Sequence, residues 1–239
     1  MSHNLRDKIH DLLRNISLEL KIKGESFNNG IKRDYEVFSR ELRVRSLDEK
    51  YWLAVVMGGT WAIGGLDRAD LYIKQVYQIT KNPDRRNDET IIRDAVYIKG
   101  YRGSRKVVME RMLLFHAKML NNYGAENIIS NPVHYQKLII KDAETIPYAG
   151  HWIATVPFKI LAVSGILPRR LINDLEPPLG VNVVKGIKFL TGYQVDPSRK
   201  RDRAFMIAIH KHLANLSNTD IFAINSGLWS LGEEIESKL

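Results

Sequence analysis

The chain has 239 residues, of which 44% are hydrophobic, 26% are charged and none is cysteine. This length and composition provide a sizeable core and exclude intrinsic disorder, and the lack of cysteine excludes disulfides, thiolate metal sites and a thiol nucleophile. No apolar run approaches the ~20 residues that span a bilayer, and the charged, amphipathic N-terminus lacks the apolar segment of a secretory signal. We therefore expect a cytoplasmic protein without a membrane partner.

The charge is unevenly distributed along the chain. Basic residues outnumber acidic residues by 36 to 27, and between Lys159 and His212 ten basic residues accompany four acidic ones. A second basic run at 99–106 includes Arg102 and Arg105. Solvated helix faces account for such charge in many proteins, whereas a concentrated positive segment also suits a polyanion such as nucleic acid. Both interpretations stay open, and the nucleic-acid surface is the preferred one.

Helical periodicity dominates the N-terminal half. Apolar residues at helical spacing predict an amphipathic helix over 4–23, a polar break over 24–30 and a second helix near 31–44. Asp48 is the expected N-cap of a helix over 48–63, in which Gly58 and Gly59 are expected to allow close helix packing. Further helices are predicted over 67–80, 88–97 and 104–123, the second of them capped by Asp88.

The C-terminal half shows the same periodicity. Pro132 is expected to open a short helix, and an apolar helix follows residues 146–150 and ends near Val163. Residues 164–178 are predicted to form a loop, followed by helices over 180–191, 199–214 and 219–236. Because no strand pattern of useful length occurs, we predict an all-α fold. The expected organisation is an N-terminal helical extension, 1–45, and a two-lobed region, 46–239, hinged near 88–104 and 164–178.

The most informative motif is Ile146-Pro-Tyr-Ala-Gly150-His-Trp-Ile-Ala154. A helix-hairpin-helix typically begins with a proline, a tight turn, a glycine and then an alanine four residues later. Ordinary helix–helix turns also contain Pro and Gly. The glycine is expected to let the backbone approach a phosphate, towards which the first amides of the next helix point. The predicted DNA-binding residues of this turn are Pro147, Tyr148, Gly150 and His151.

Together with Gly100-Tyr-Arg-Gly-Ser-Arg-Lys, this motif resembles the helix-hairpin-helix superfamily of DNA glycosylases, most closely its archaeal 8-oxoguanine branch. That family carries a GFY-x-x-K-A helix before an LPGVG-x-x-x-A hairpin. Residues 179–190 and 220–232 resemble two later family helices, so the similarity spans roughly residues 50–236. The resemblance implies a two-lobed helical enzyme of base-excision repair, a hydrolase that flips a damaged base out of double-stranded DNA and excises it.

Both signature catalytic positions of this family are altered. Trp152 stands where bifunctional members carry the lysine that attacks the sugar, and Gly180 stands at the aspartate position. Because neither residue can supply the family's chemistry, catalysis has either moved to other residues or been lost. Lys159, two helical turns after Trp152, is the candidate lysine, with a surface or snorkelling role as the alternative.

Asp174 and Glu176, in the Pro-rich loop, are the candidate carboxylates for activating water, with helix capping or loop solvation as the alternative. For Lys185 and Lys188, phosphate contact and plain helix exposure are equally open. The remaining predicted DNA-binding residues are Asn182, Lys185, Arg102 and Arg105.

Three functions stay open at this point. The protein is a DNA glycosylase, a non-enzymatic relative that keeps DNA binding, or an enzyme of the same fold acting on a free nucleobase, nucleotide or RNA base. The histidines lack metal-ligand spacing and no nucleotide-binding fingerprint occurs, so neither a metal nor a small-molecule cofactor is expected. The expected partner is double-stranded DNA, bound by a monomer.

Overall fold

The computed structural model describes residues 3–63, 68–101, 105–146 and 150–237. Every regular element within these ranges is helical, which confirms the predicted all-α class. A 3₁₀ helix, Arg169–Asp174, lies in the segment predicted as a loop. The α-helices are α1 (His3–Glu41), α2 (Leu47–Ile63), α3 (Ala69–Thr80), α4 (Pro83–Arg86), α5 (Glu89–Val96), α6 (Lys106–Tyr123), α7 (Ala125–Ser130), α8 (Pro132–Ala143), α9 (Gly150–Val163), α10 (Val181–Thr191), α11 (Lys200–Ser217) and α12 (Ile221–Glu236).

The N-terminal helix corrects the predicted break at 24–30. α1 is continuous through both Gly24 and Gly30, although glycine costs about 1 kcal/mol relative to alanine inside a helix. A Cβ at position 24 would overlap the backbone carbonyl of Ala223 in α12. Tertiary packing that requires glycine therefore outweighs its poor helix propensity.

Local side-chain hydrogen bonds cap the starts of α2 and α5. Asp88 accepts from the amides of α5 as its N-cap, as predicted. Asp48 is not the N-cap of α2, because Ser46 and Glu49 form a reciprocal capping box there: the Glu49 amide donates to Ser46 Oγ, and the Ser46 amide donates to Glu49 Oε2. Asp48 lies in the first turn instead and accepts two hydrogen bonds of 2.7 Å from Arg86.

The helices pack into two compact units. Unit 1 combines Met1–Ile31 with Arg169–Leu239, and unit 2 is Lys32–Pro168. The boundary after Pro168 lies inside the segment 164–178 that was expected to be a hinge, whereas 88–104 lies within unit 2. Residues 1–31 belong with the C-terminal helices, so the unit boundaries differ from the predicted one at residue 45.

In unit 1, α10 and α12 pack at backbone distance. A Cβ on Gly186 would overlap the carbonyl of Leu228, and a Cβ on Gly232 would overlap the carbonyl of Asn182. The core beneath this contact is aliphatic and consists of Leu20, Leu179, Val183, Ile187, Val195, Met206, Leu213, Ala214, Ile224 and Leu228. α10 is therefore held rigidly, with Val183 and Ile187 facing inward.

In unit 2, α2 is the central helix, and residues 51–56 are completely buried. A Cβ on Gly58 would lie 2.6 Å from Val156 Cγ1, and one on Gly59 would lie 2.9 Å from Met109 Cγ. Close helix packing is therefore confirmed as the role of these two glycines. No helix in the described part of the chain combines the length and apolarity needed to cross a membrane.

Candidate nucleic-acid interface

The motif predicted to form the hairpin follows α8 and extends into α9, and these two helices pack against each other in unit 2. Gly150 begins α9 and is buried, and a Cβ there would overlap the carbonyl oxygen of Ala143, the last residue of α8. Glycine is thus required at this position by helix packing, and its predicted phosphate contact stays a prediction. Pro147, Tyr148 and Arg102 lie outside the described residues.

The first turn of α9 is partly accessible. His151 and Trp152 are half-buried. The carbonyl of His151 accepts a 2.7 Å hydrogen bond from the Thr155 hydroxyl, which anchors the turn to the helix. His151 is therefore held at the start of a well-formed helix, where amides favour an anion.

The structure places Lys159 in the buried middle of α9. Lys159 is only 5% exposed and stands between Phe158 and Ile160, which are completely buried. Of the alternative roles, a surface lysine is therefore wrong, and a snorkelling lysine stays open. A lysine that attacks a deoxyribose must be reached by the nucleotide, and this burial does not favour that role.

The candidate carboxylates belong to unit 1, whereas Lys159 belongs to unit 2. Asp174 ends the 3₁₀ helix and is exposed, and Glu176 is half-buried two residues later. Unit 1 also has a polar cavity of about 400 Å³, which neither carboxylate lines. The cavity is lined by Lys21, Glu25, Arg169, Ile172, Asn173, Asn218, Thr219 and Asp220.

Part of the upstream basic run makes intramolecular contacts. Arg105 is exposed and precedes α6 with a left-handed backbone, φ 65°. Lys106 donates a 3.0 Å hydrogen bond to the carbonyl of Tyr101, and its ammonium lies 5.6 Å from the centre of the Tyr72 ring. Burial lowers the pKa of Lys106. Of Arg105 and Lys106, Arg105 is thus the more accessible cation.

A group of exposed basic residues lies on α10 and α11. Lys188, Lys200 and Arg201, here called the basic surface, are all exposed, and no ion pair with another described residue is present for any of them. Lys185 is half-buried and pairs with Glu236 at 2.8 Å. Asn182 is half-buried in the first turn of α10. Of the predicted contacts on α10, the exposed Lys188 is therefore better placed to meet a phosphate than Lys185.

The two acidic residues beside the basic surface are occupied within their own loop. Asp196 accepts hydrogen bonds from the hydroxyl and the amide of Ser198, which lower its pKa, and it lies 3.6 Å from Arg199. Asp202 accepts a hydrogen bond from the Asp196 amide. Arg203 donates to the carbonyls of Pro197 and Ser198. The segment is therefore internally bonded, and no ion pair joins Asp196 or Asp202 to any of the three exposed cations.

Three exposed aromatic residues on α10, on α11 and between these helices were missed by sequence reasoning. Phe189 is 65% exposed, Tyr193 is 67% exposed and Phe205 is 39% exposed. The rings of Tyr193 and Phe205 meet edge to face, with centroids 6.0 Å apart. A usable signal exists in the sequence: Val183 and Ile187 define the buried face of α10, and Phe189 falls on the opposite face.

Comparisons with protein-family models, curated proteins and solved structures give no significant match. Nowhere in the described ranges do three or more His, Asp or Glu side chains come together in a group able to hold a metal ion.

Proposed function

We propose that this protein binds double-stranded DNA, and that it does so as a helical relative of the helix-hairpin-helix DNA glycosylases. The observation that carries the proposal is the basic surface on α10 and α11, where Lys188, Lys200 and Arg201 are exposed without acidic partners. Uncompensated cations attract a polyanion and release its counterions when they contact phosphate. The accessible start of α9 supports a second contact with the phosphate backbone.

The test is the salt dependence of binding to a labelled duplex. Each phosphate contact contributes about 0.9 to the slope of log affinity against log salt concentration. The double variant Lys200→Ala/Arg201→Ala is therefore expected to lower that slope by about 1.8 and to weaken binding at low salt. Unchanged slope and affinity in this variant would overturn the proposed interface.

A matched control exists on α1 of the same unit. Lys8 and Arg14 are exposed, so Lys8→Ala/Arg14→Ala removes the same net charge from a different helix. This control is expected to keep the slope of the parent protein. An equal loss in both double variants would mean that net charge, rather than this surface, determines binding.

For the chemistry, we propose base excision by water rather than by a lysine. The burial of Lys159 and the presence of Trp152 at the family's lysine position support this choice. Duplexes that each carry one damaged base, incubated with the protein and then cleaved with alkali, are expected to reveal abasic sites for at least one lesion. Borohydride added during the reaction is expected to trap no covalent adduct, and a trapped adduct would contradict the water mechanism.

A non-enzymatic DNA-binding protein is the second candidate. Gly180 precedes α10 and provides no carboxylate at the family's aspartate position. Salt-sensitive duplex binding without abasic sites across the whole lesion panel would select this candidate. Failure to bind duplex at ~100 mM salt, where phosphate contacts still give measurable affinity at micromolar protein, would favour the alternative of chemistry on a free nucleobase, nucleotide or RNA base.

A further inference from the structure

Unit 1 exposes three aromatic residues whose presence the binding of a duplex does not explain. Phe189, Tyr193 and Phe205, here called the stacking surface, lie on the last turn of α10, just after that helix and on α11. Their rings are 39–67% exposed. A folded protein gains nothing from several large rings left in water, and such patches mark binding sites.

The rings are held in place by the backbone around them. Gly192, with φ 72°, ends α10 in the left-handed conformation and donates its amide to the carbonyl of Lys188. The Tyr193 amide then donates to the Thr191 hydroxyl. Tyr193 therefore lies at the end of α10 and packs edge to face on Phe205, with the ring centroids 6.0 Å apart. A ring that is ordered before binding loses little conformational entropy when a ligand stacks on it.

Arg201, a cation of the basic surface, lies beside Phe205, because it is one helical turn before Phe205 on the same side of α11. Lys188 precedes Phe189 in the last turns of α10. Flat apolar faces next to uncompensated cations suit a ligand that presents flat rings and phosphates together. Unpaired nucleotides have this combination, whereas a duplex keeps the faces of its bases stacked and inaccessible.

The polar residues among the rings disfavour a lipid surface. Gln194 is exposed immediately after Tyr193, and inserting this amide into acyl chains would cost its hydrogen bonds with water. The exposed side of α11 carries Arg201, Ala204, Ala208 and Lys211 around Phe205, so it lacks the continuous apolar face of a membrane-binding helix. The same amide suits the edge of a base, where it can both donate and accept a hydrogen bond.

We propose that the stacking surface binds single-stranded DNA, with unpaired bases on Phe189, Tyr193 and Phe205 and with their phosphates on the basic surface. The proposal rests on the proposed function in that the same cations contact phosphate. It goes further by naming unpaired nucleotides as a ligand of unit 1. A strand opened or frayed next to a duplex contact would provide such nucleotides.

The test is fluorescence anisotropy with a labelled oligothymidylate of about 12 nucleotides, a length within the usual range for such sites. Tyr193→Ala and Phe189→Ala are each expected to weaken binding on the order of tenfold. Tyr193→Phe keeps the ring and is expected to bind like the parent protein. Ile22→Ala is the matched control, because Ile22 is 68% exposed on α1 of the same unit.

Two further ligands distinguish base stacking from binding by charge alone and from binding to a lipid membrane. Inorganic polyphosphate has the charges without the bases, so the aromatic variants are expected to bind it as the parent does, whereas Lys200→Ala/Arg201→Ala binds it more weakly. Equal losses on polyphosphate and oligothymidylate in the aromatic variants would overturn stacking. Tighter binding to phosphatidylserine vesicles than to oligothymidylate, lost in Tyr193→Ala, would overturn the proposal in favour of a membrane.

The two proposals fail in different experiments. If Tyr193→Ala and Phe189→Ala bind single-stranded DNA as tightly as the parent protein, the stacking surface is overturned. The proposed function is then still tested by the salt dependence of duplex binding. An unchanged duplex slope in Lys200→Ala/Arg201→Ala, together with weakened single-strand binding in the aromatic variants, overturns the duplex interface and supports the stacking surface.

Discussion

His116 makes the stability of unit 2 depend on pH. The completely buried ring joins α6 to α9 and α2: Nε2 lies 3.0 Å from the carbonyl oxygen of Ile153, and Nδ1 lies 2.9 Å from the hydroxyl of Tyr51. Because a carbonyl can only accept, Nε2 carries the proton, and Nδ1 accepts from Tyr51. Burial lowers the pKa of His116 from 6.5 to about 4, with the hydrogen bond to Ile153 acting in the opposite direction.

This lowered pKa determines the sign of the effect. The unfolded chain binds a proton near pH 6.5, whereas the folded chain does not until about pH 4. The contribution to stability is therefore complete above about pH 7 and is lost as the pH falls from 6.5 towards 4. The difference between the two pKa values corresponds to about 3 kcal/mol, of which about 2 kcal/mol is lost by pH 5.

The assay is urea unfolding at about pH 7.5 and about pH 5, the window in which the unfolded ring gains its proton. A Trp229→Phe background makes the tryptophan fluorescence report on unit 2, which contains Trp52, Trp61 and Trp152. His116→Gln keeps a donor and an acceptor without an imidazole. It is expected to lose about 2 kcal/mol less than the parent between the two pH values.

The exposed His134 in α8 provides the control, because His134→Gln removes an imidazole from the surface of the same unit. This variant is expected to keep the pH dependence of the parent. Equal losses of unfolding free energy in His116→Gln and in the parent would refute the reasoning.

Three further predictions concern packing, charge and capping, and each is measured by urea unfolding. Gly24→Ala forces a Cβ into the backbone of α12 and is expected to destabilise unit 1 by about 1–3 kcal/mol; Gly30→Ala, whose Cβ meets open space on the same helix, is expected to stabilise by about 1 kcal/mol. Asp48→Ala leaves the buried Arg86 guanidinium without its carboxylate and is expected to cost about 3–5 kcal/mol; a second change, Arg86→Met, is expected to recover part of this loss, and no recovery would contradict the charge argument. Asp220→Ala removes the N-cap that accepts from two amides of α12 and is expected to cost about 1 kcal/mol; an unchanged unfolding free energy would contradict a stabilising cap.

The sequence predicted those features of the fold that depend on near neighbours. The all-α class and the positions of α9, α10 and α12 follow from helical periodicity, and the Asp88 cap follows from its contacts with the next turn. The continuity of α1 depends instead on Gly24 packing against Ala223, which is distant in sequence. Local rules count glycine as a helix breaker because they contain no information about the helix packed against it.

The candidate interface also has features that the sequence shows and features that depend on tertiary packing. A concentration of Lys and Arg between 159 and 212 is visible in the sequence, but the distribution of their partners is not. Lys185 pairs with Glu236 across the α10–α12 contact, while Lys188, one turn later, is exposed. The two lysines look equivalent in the sequence, and tertiary packing decides which of them is accessible to a phosphate.

Lys159 shows why spacing alone is a poor guide to catalytic chemistry. Its seven-residue separation from Trp152 places both residues on one side of α9, and on an amphipathic helix this would bring them to the same surface. α9 is not amphipathic in its middle, because every residue from Ile153 to Ala162 is buried. A helix buried on all sides has no face that a substrate reaches, so a shared face with Trp152 gives Lys159 no access to a sugar. For the proposed excision by water, the burial of α9 is therefore a second reason, beside Trp152, to expect no borohydride-trapped adduct at Lys159.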